Sequence, residues 1–259
     1  VALADDESSM ARLFQYRFES GDLKGHAFGN LFISALSAVS GGLESALVET
    51  ADVLKIQGRV FPSTLQDVVL AAWVRVHNGD EPVWTVGEST ITEMGGKIEQ
   101  LCLEPANAEA YAGSIDAILN ASIVIIGPGS LFTSILPNLL VPGIADALRA
   151  TSAEIVYVCN VATQPGETDA FTVADHVYAI EKHIGRGVFG AVLANNHYPT
   201  MNAGVNTIYV QPVPPNHDVL KRYEFIYTDL VNAEKPWRHD PNKLAQAIMT
   251  LRSASNGVN

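Results

Sequence analysis

The sequence predicts an α/β protein: a Rossmann-like, doubly wound, mostly parallel sheet with a small antiparallel excursion. Three observations carry this expectation. From residue 108 onward, helical and strand-like segments alternate at the spacing of βαβ units. The strand-like runs SIVII (122–126) and EIVYVC (154–159) are continuously apolar, as strands buried on both faces must be. Between residues 60 and 103, in contrast, short β-rich runs are divided by turn signals, HNGD and MGGK.

Each element has its own local reason. Met10, Leu13, Phe14 and Phe18 recur at helical spacing, and Asp5, Asp6 and Glu7 suit the positive end of a helix over 8–18. The apolar run 30–39 predicts a core helix stopped by Gly41 and Gly42. Residues 43–54 predict another, with Ala46, Leu47, Thr50, Ala51 and Leu54 on one face. Strands are expected at 60–61, 68–76, 83–87 and 97–103, with Asn78 and Gly79 forming a tight hairpin turn. There follow a helix (108–119), a strand (122–126), a helix interrupted by Pro137 and Pro142 (134–149) and a strand (154–158). A helix (172–184), strands at 188–194 and 207–210, and a helix at 241–251 complete the chain. The whole reads as one α/β domain over residues 1–259, with an antiparallel sub-region at about 58–103.

The chain has 259 residues and a formal charge of −12, which disfavours broad adhesion to nucleic acid or an anionic membrane, both of which rely on Lys and Arg. A small anionic ligand is still compatible, because the field that matters is that of the site. No window has eighteen uninterrupted apolar residues and the start lacks a secretory pattern, so a cytoplasmic location is expected, without membrane insertion. Cys102 and Cys159 lie in separate apolar runs and are expected to be reduced; no CxxC or clustered His/Cys spacing points to zinc.

In an open parallel sheet, ligands sit outside the carboxyl ends of the strands. Three loops qualify: GPGSLFTS after Ile126, NVATQPGETD after Cys159, and NNHYPTMNAG after Ala194. In the first, Gly127 and Gly129 let backbone approach a ligand, while Ser130, Thr133 and Ser134 add hydroxyls near exposed amides, which favours a phosphate. It is neither the GxGxxG fingerprint nor a P-loop, since Lys is absent. In the second, Thr168 or Asp169 could simply cap the following helix. The segment GHAFGN places His26 ahead of a core helix, and Arg59 and Arg238 are the arginines considered for phosphate. Neither a Ser-His-Asp order with a nucleophile elbow nor a certifiable carboxylate pair is present.

Together, LKGHAFGNLFISAL, LKIQGRVFPSTL, GPGSLFTSILPNLLVPGIADAL, VYVCNVATQPGETDAFTVADHV and PWRHDP resemble the YvcK family of gluconeogenesis factors, relatives of the CofD phospholactate transferases. The resemblance covers nearly the whole chain. For the YvcK branch it implies a Rossmann-like fold, a cytoplasmic protein that binds UDP-sugars (UDP-N-acetylglucosamine or UDP-glucose), and a role in cell shape and growth on non-glycolytic carbon. A cell-wall synthesis protein would read the bound state. For the CofD branch it implies transfer of a phospholactyl group to a deazaflavin alcohol with a divalent metal such as Mg. The family's nucleotide site is similar to Gly127, Pro128, Gly129, Ser130 and Ser134, with Asn160, Thr163, Gln164 and Glu167 beside it. Arg238 matches the arginine of an Arg-His-Asp motif implicated in UDP-sugar binding, and His26 and Asn30 match a GH.FGN signature. Arg59 and Asn195 are further candidates. Family members usually start with a glycine-rich strand-loop and an acidic segment, both upstream of this chain's first residue. Pro241 stands where some relatives carry a Thr that a kinase could modify. The apolar stretch from Ile135 to Leu148 is the candidate surface for a homodimer.

Overall fold

A computed structural model describes residues 9–77, 79–200 and 206–255, with side chains to residue 251. The chain forms two compact units, Val1–Leu65 and Gln66–Asn259. In the first, α1 (Ser9–Gln15), α2 (Phe28–Ser40) and α3 (Leu43–Leu54) pack together. The acidic start of the expected first helix lies outside the described residues. Beyond Gln15 the chain turns back, with Arg17 bridged to Ala27. Despite its apolar sequence, α2 fully buries only Gly29, and Val39 is 84% exposed. Gly29 is needed because an added Cβ would lie 2.9 Å from the Phe14 carbonyl oxygen, so glycine lets α2 approach α1.

The second unit contains two sheets. The antiparallel one has order β2-β1-β3, from β1 (Val69–Arg75), β2 (Val83–Val86) and β3 (Lys97–Glu104), with α4 (Glu88–Met94) between the last two. The hairpin closes with the Asp80 amide donating to the His77 carbonyl at 3.2 Å and Gly79 at φ +99°, while Asn78 lies outside the described residues. One face of this sheet is core. The other exposes Trp73 and Trp84, paired across the strands with ring centroids 5.2 Å apart. Residues 60–61 form no strand.

The parallel sheet runs β4 (Ile123–Ile126), β5 (Glu154–Val158), β6 (Ala191–Asn195) and β7 (Glu224–Thr228), in chain order. Its register pairs Ile126 with Tyr157, Tyr157 with Val192 and Val192 with Phe225. Helix α5 (Ala112–Leu119) precedes it; α6 (Leu136–Leu139), α7 (Ile144–Ala150) and α8 (Val173–Ile184) make crossovers. Tyr157 and Val192 point into a core with Leu136, Leu148, Val177 and Ile180. Val156, Val158 and Leu193 point the other way, toward Leu230 and toward Leu244 and Ile248 of α9 (Pro241–Ser255). Burial on both sides is what the unbroken apolar strands require. The mixed α/β fold expected from the sequence is therefore present, with its parallel sheet and smaller antiparallel one.

Boundaries moved where competing local chemistry prevailed. The helix expected at 134–149 is a π-turn (Leu131–Ile135) followed by α6 and α7, with Pro137 in the first turn of α6, where a missing N–H is tolerated, and Pro142 at the true break. The residues from Ile135 to Leu148 proposed for a dimer surface include Ile135, Leu136, Leu139, Ile144 and Leu148, all buried in this unit's own core. Val188 and Phe189 precede β6 as a buried loop, and residues 207–210 bridge Ala162 without forming a strand. Strand β7 was not anticipated, although EFIYT is rich in β-formers. Both cysteines are free, Cys159 fully buried with its thiol pushed up to about 12 by burial. Among the described residues no single helix is long and apolar enough to cross a membrane.

Two polar features secure α8. Thr172 and Asp175 form a reciprocal capping box at its start. Near its end, the buried Glu181 carboxylate accepts from Arg222 Nε at 2.9 Å, Arg222 Nη2 at 3.0 Å and the Tyr223 hydroxyl at 2.8 Å. Arg222→Ala is expected to destabilise the protein by about 1–3 kcal/mol, since it strips a buried carboxylate of its charged donor, measurable as a lower urea midpoint. His176 is fully buried and His183 partly so, and burial lowers both imidazole pKa values. Their neutral forms stabilise the fold above the unfolded value of about 6.5, and that contribution is lost as pH falls. Urea midpoints are expected to decrease from pH 7.5 to 5.5, less steeply in His176→Leu.

Candidate functional site

The carboxyl ends of β4 and β5 open onto a cavity of about 700 Å³. The first wall is the GPGS turn. Gly127 has φ +87°, and a Cβ there would meet Ile135 Cδ1 and the Val158 carbonyl oxygen at 3.1 Å each, so only glycine lets the chain turn so tightly beside β5. Pro128, Gly129 and Ser130 then line the cavity. The Ser130 hydroxyl accepts from the Thr133 amide at 3.1 Å and donates to Glu167, and Thr133 Oγ1 donates to the same carboxylate at 3.3 Å. The Ser134 and Ile135 amides both bond the Ser130 carbonyl oxygen. The hydroxyls expected to face a ligand are thus largely engaged within the protein. The amides of Gly129 and Ser130 have no protein acceptor among the described residues.

The second wall is the loop after β5. It is tied down by bonds between Gln164 and Thr168: the Gln164 amide donates to Thr168 Oγ1 and the Thr168 amide to the Gln164 carbonyl oxygen, both at 2.9 Å. Neither Thr168 nor Asp169 caps α8, which is the task of Thr172; Asp169 instead accepts from the Gly166 amide at 2.8 Å. Asn160 donates to Gln164 Oε1 at 3.1 Å, which leaves Asn160 Oδ1 and the Gln164 side-chain Nε2 for other partners. Thr163 Oγ1 accepts from the Ile208 amide at 3.1 Å, drawing Thr207 to the cavity edge.

The third wall is Trp237, Arg238 and His239, where consecutive residues have separate tasks. Arg238 is exposed, lines the cavity and makes no ion pair with any described carboxylate. His239 Nε2 lies 3.1 Å from the Cys159 carbonyl oxygen, which can only accept, so the proton is on Nε2 and Nδ1 is the acceptor. Burial lowers its pKa. Asp240 caps α9, its Oδ1 accepting from the Asn242 and Lys243 amides at 3.0 Å. Pro241 occupies the first helical position, which suits its fixed φ.

Of the residues expected at the site, Pro128, Gly129, Ser130, Asn160, Thr163, Gln164, Glu167 and Arg238 line this one cavity. Gly127 and Ser134 stand behind it and shape the turn. Asn195 is a structural clasp at the end of β6: its Oδ1 accepts from the Leu230 amide at 3.1 Å and its Nδ2 donates to the His197 carbonyl oxygen at 2.6 Å. His26, Asn30 and Arg59 belong to the other unit, where all three are exposed. Part of the third loop, residues 201–204, is outside the described residues. Trp237, His239, Thr92 and Thr207 line the cavity without having been singled out; Trp237 and His239 stand inside the PWRHDP motif, which was the available signal.

Among the described residues, Glu167 is the cavity's only lining carboxylate, and Arg238 its only Arg or Lys. Among the described residues no group of three or more His, Cys, Asp or Glu side chains comes together as a metal-ligand set, Asp5 and Asp6 lying outside them. The described lining residues offer a divalent ion a single carboxylate, that of Glu167.

The family model described as 2-phospho-L-lactate transferase CofD matches residues 1–255. The gluconeogenesis factor of Bacillus subtilis is 43% identical over 257 residues, covering 97% of this chain and 80% of that protein. A Nostoc sp. relative is 43% identical over 259 residues, 96% of this chain but only 55% of its own length, so the chain spans about half of that longer protein. A crystal structure of a UPF0052 family member from Bacillus halodurans superposes with a TM-score of 0.86 at 34% identity, covering 96% of this chain and 80% of that one. With the GPGS turn, the polar loop after β5 and the Arg-His-Asp segment gathered around one cavity, and with matches of this length, the chain belongs to the CofD family, among its gluconeogenesis-factor, or YvcK, proteins.

Proposed function

We propose that this protein is a nucleotide-sugar-binding regulator in which a UDP-sugar occupies the cavity at the ends of β4 and β5. The observation that carries the reading is the Arg238 guanidinium, unpaired with any described carboxylate, on a cavity lined also by Gly129 and Ser130, whose amides have no acceptor among the described residues. A planar guanidinium and uncommitted backbone amides are the groups that bind a diphosphate. The volume of about 700 Å³ falls within the range of small-molecule sites, about 300–1,000 Å³. The exposed indole of Trp237 offers a stacking face to a base, and Asn160 Oδ1, Gln164 Nε2 and His239 Nδ1 offer hydrogen bonds to sugar hydroxyls.

Occupancy acts as a signal when the ligand binds one conformation more tightly than another. In this reading a cell-wall synthesis partner responds to the bound state, and the consequence is control of cell shape during growth on gluconeogenic carbon. The names of the relatives support the metabolic setting. A cytoplasmic location agrees with a nucleotide-sugar ligand. The family model's description supports a second reading, a metal-dependent phospholactyl transferase acting on a deazaflavin alcohol. Release of nucleoside monophosphate in the presence of Mg and both substrates distinguishes the two.

Calorimetric titration with UDP-N-acetylglucosamine and UDP-glucose tests the primary reading. Arg238→Ala is expected to weaken binding by about 1.5–3 kcal/mol, the worth of a charge-assisted contact. An unaltered affinity, or no heat from the parent protein at millimolar ligand, would sink it. Glu167→Gln removes the cavity's carboxylate at nearly constant volume, so UDP is expected to bind more tightly than to the parent chain in the same titration.

A further inference from the structure

We propose that the free edge of β2 is a docking site for an extended segment of another protein, apolar at alternate positions and flanked by basic residues. The proposal does not rest on the nucleotide-sugar assignment. The antiparallel sheet has two outer edges, and the protein treats them differently. Along β3 the edge is clasped by the end of α8: the Leu101 amide donates to His183 Nε2 at 2.9 Å, and Lys182 Nζ donates to the Glu99 carbonyl oxygen. Along β2 the described residues supply no such clasp. The Gly87 amide bonds the Leu70 carbonyl oxygen at 2.8 Å, directly across in the register that pairs Ala71 with Val86. Hydrogen-bonded residues alternate in an antiparallel pair, so Thr85 also turns its main-chain groups to β1, while Trp84 and Val86 turn theirs away from the sheet. No described residue bonds the main chain of Trp84 or Val86 from that side.

The edge is also apolar and open. Val83–Val86 reads VWTV, without a charge, and Trp84 and Val86 are 37% and 44% exposed. Native edges are ordinarily blunted by lysines, prolines or a covering element; an unpaired main chain beside exposed apolar side chains is what an added strand uses. A strand laid on β2 extends the outward face, setting alternate side chains beside Trp84 and Val86, where Trp73 and Trp84 already pair. Charge decides the occupant. Asp80, Glu81 and Glu88 flank the strand and are exposed, whereas Arg75 is held by Glu99 at 2.7 Å and by the Asp80 carbonyl oxygen. A second copy pairing antiparallel through β2, centred on Trp84 or Thr85 so that outward faces match, brings Asp80 and Glu81 of one copy to Glu88 of the other. Like charges so placed are destabilising, while Lys or Arg at both ends of a foreign segment meets carboxylates.

The test is fluorescence anisotropy of two dye-labelled, end-blocked peptides, KKVTVTKK and EEVTVTEE, titrated with the full chain at low ionic strength. KKVTVTKK is expected to bind saturably at one site, about tenfold or more tighter than EEVTVTEE, with the difference shrinking as salt is added. Val86→Pro removes an outward N–H and spares the bonds to β1, since an edge strand accepts proline. It should keep the parent's circular dichroism and bind KKVTVTKK roughly three- to tenfold more weakly, the worth of one neutral hydrogen bond. Glu81→Lys combined with Glu88→Lys should reverse the preference between the peptides. The proposal is overturned if KKVTVTKK shows no saturable binding, if EEVTVTEE binds the parent as well, or if folded Val86→Pro binds as tightly as the parent. A parent dimer in sedimentation that Val86→Pro dissociates would assign the edge to a second copy and also overturn it. Should Val86→Pro fail to fold, the charge-reversed variant decides by itself.

Discussion

Burial of β5 and β6 on both faces is the constraint from which the larger unit follows. Tyr157 and Val192 enter one core, Val156 and Leu193 the other, so neither strand has a solvated side on which to carry polar residues. Polar chemistry can leave such a strand only at its ends. At the carboxyl end of β5 the change is abrupt: Val158 and Cys159 are fully buried, and Asn160 already lines the cavity. The same edge receives the GPGS turn from β4, because parallel pairing sets Ile126 beside Tyr157 and carries both chains out of the sheet together. One packing requirement thus brings together loops that are more than thirty residues apart in sequence.

The second consequence concerns charge. A cavity suited to an anion contains a carboxylate, Glu167, and the geometry explains how it is accommodated. Two hydroxyls, from Ser130 and Thr133, satisfy it, and in doing so they join the β4 and β5 loops into one wall. The hydroxyl of Ser130 therefore serves the architecture of the site, and recognition is left to backbone amides and to Arg238. His239 supports this division: its bond to the Cys159 carbonyl oxygen anchors the Arg238 segment to the end of β5, while Asp240 starts α9 on the far side of the sheet. Arg-His-Asp reads as one motif in sequence and as three mechanical tasks in space.

Much of the fold was legible because its signals are local and repetitive. Continuous apolar runs gave β4 and β5, and Gly41 and Gly42 marked the end of α2; the cap of α8 is Thr172 with Asp175 rather than Thr168 or Asp169, and α4 stands where only a turn between strands is expected. Failures occurred where a local signal had two readings. Residues 207–210 have strand-like composition, yet only Tyr209 forms a bridge, because the neighbouring loop offers Thr163 and no full strand. The apolar stretch from Ile135 to Leu148 could be read as an interface, but α6 and α7 turn those side chains into their own core. At the site, eight expected residues were legible as loop chemistry. Trp237 and His239 were passed over because an aromatic ring or a lone imidazole beside an arginine has no periodicity to betray its direction.

The sequence by itself determined the class of fold and the family, since apolar periodicity and a set of short motifs are properties of neighbouring residues. It also determined that the turn after β4 must be glycine at position 127, where φ is +87°. Only the tertiary structure decided which polar groups remain available to a ligand. Whether Ser130, Asn195 or Arg238 is free depends on partners that lie 37, 35 or more residues away, or on there being none, and no local pattern records that. Hydrogen bonds are short-ranged in space and indifferent to distance along the chain, so their allocation becomes visible once the strands have placed the loops.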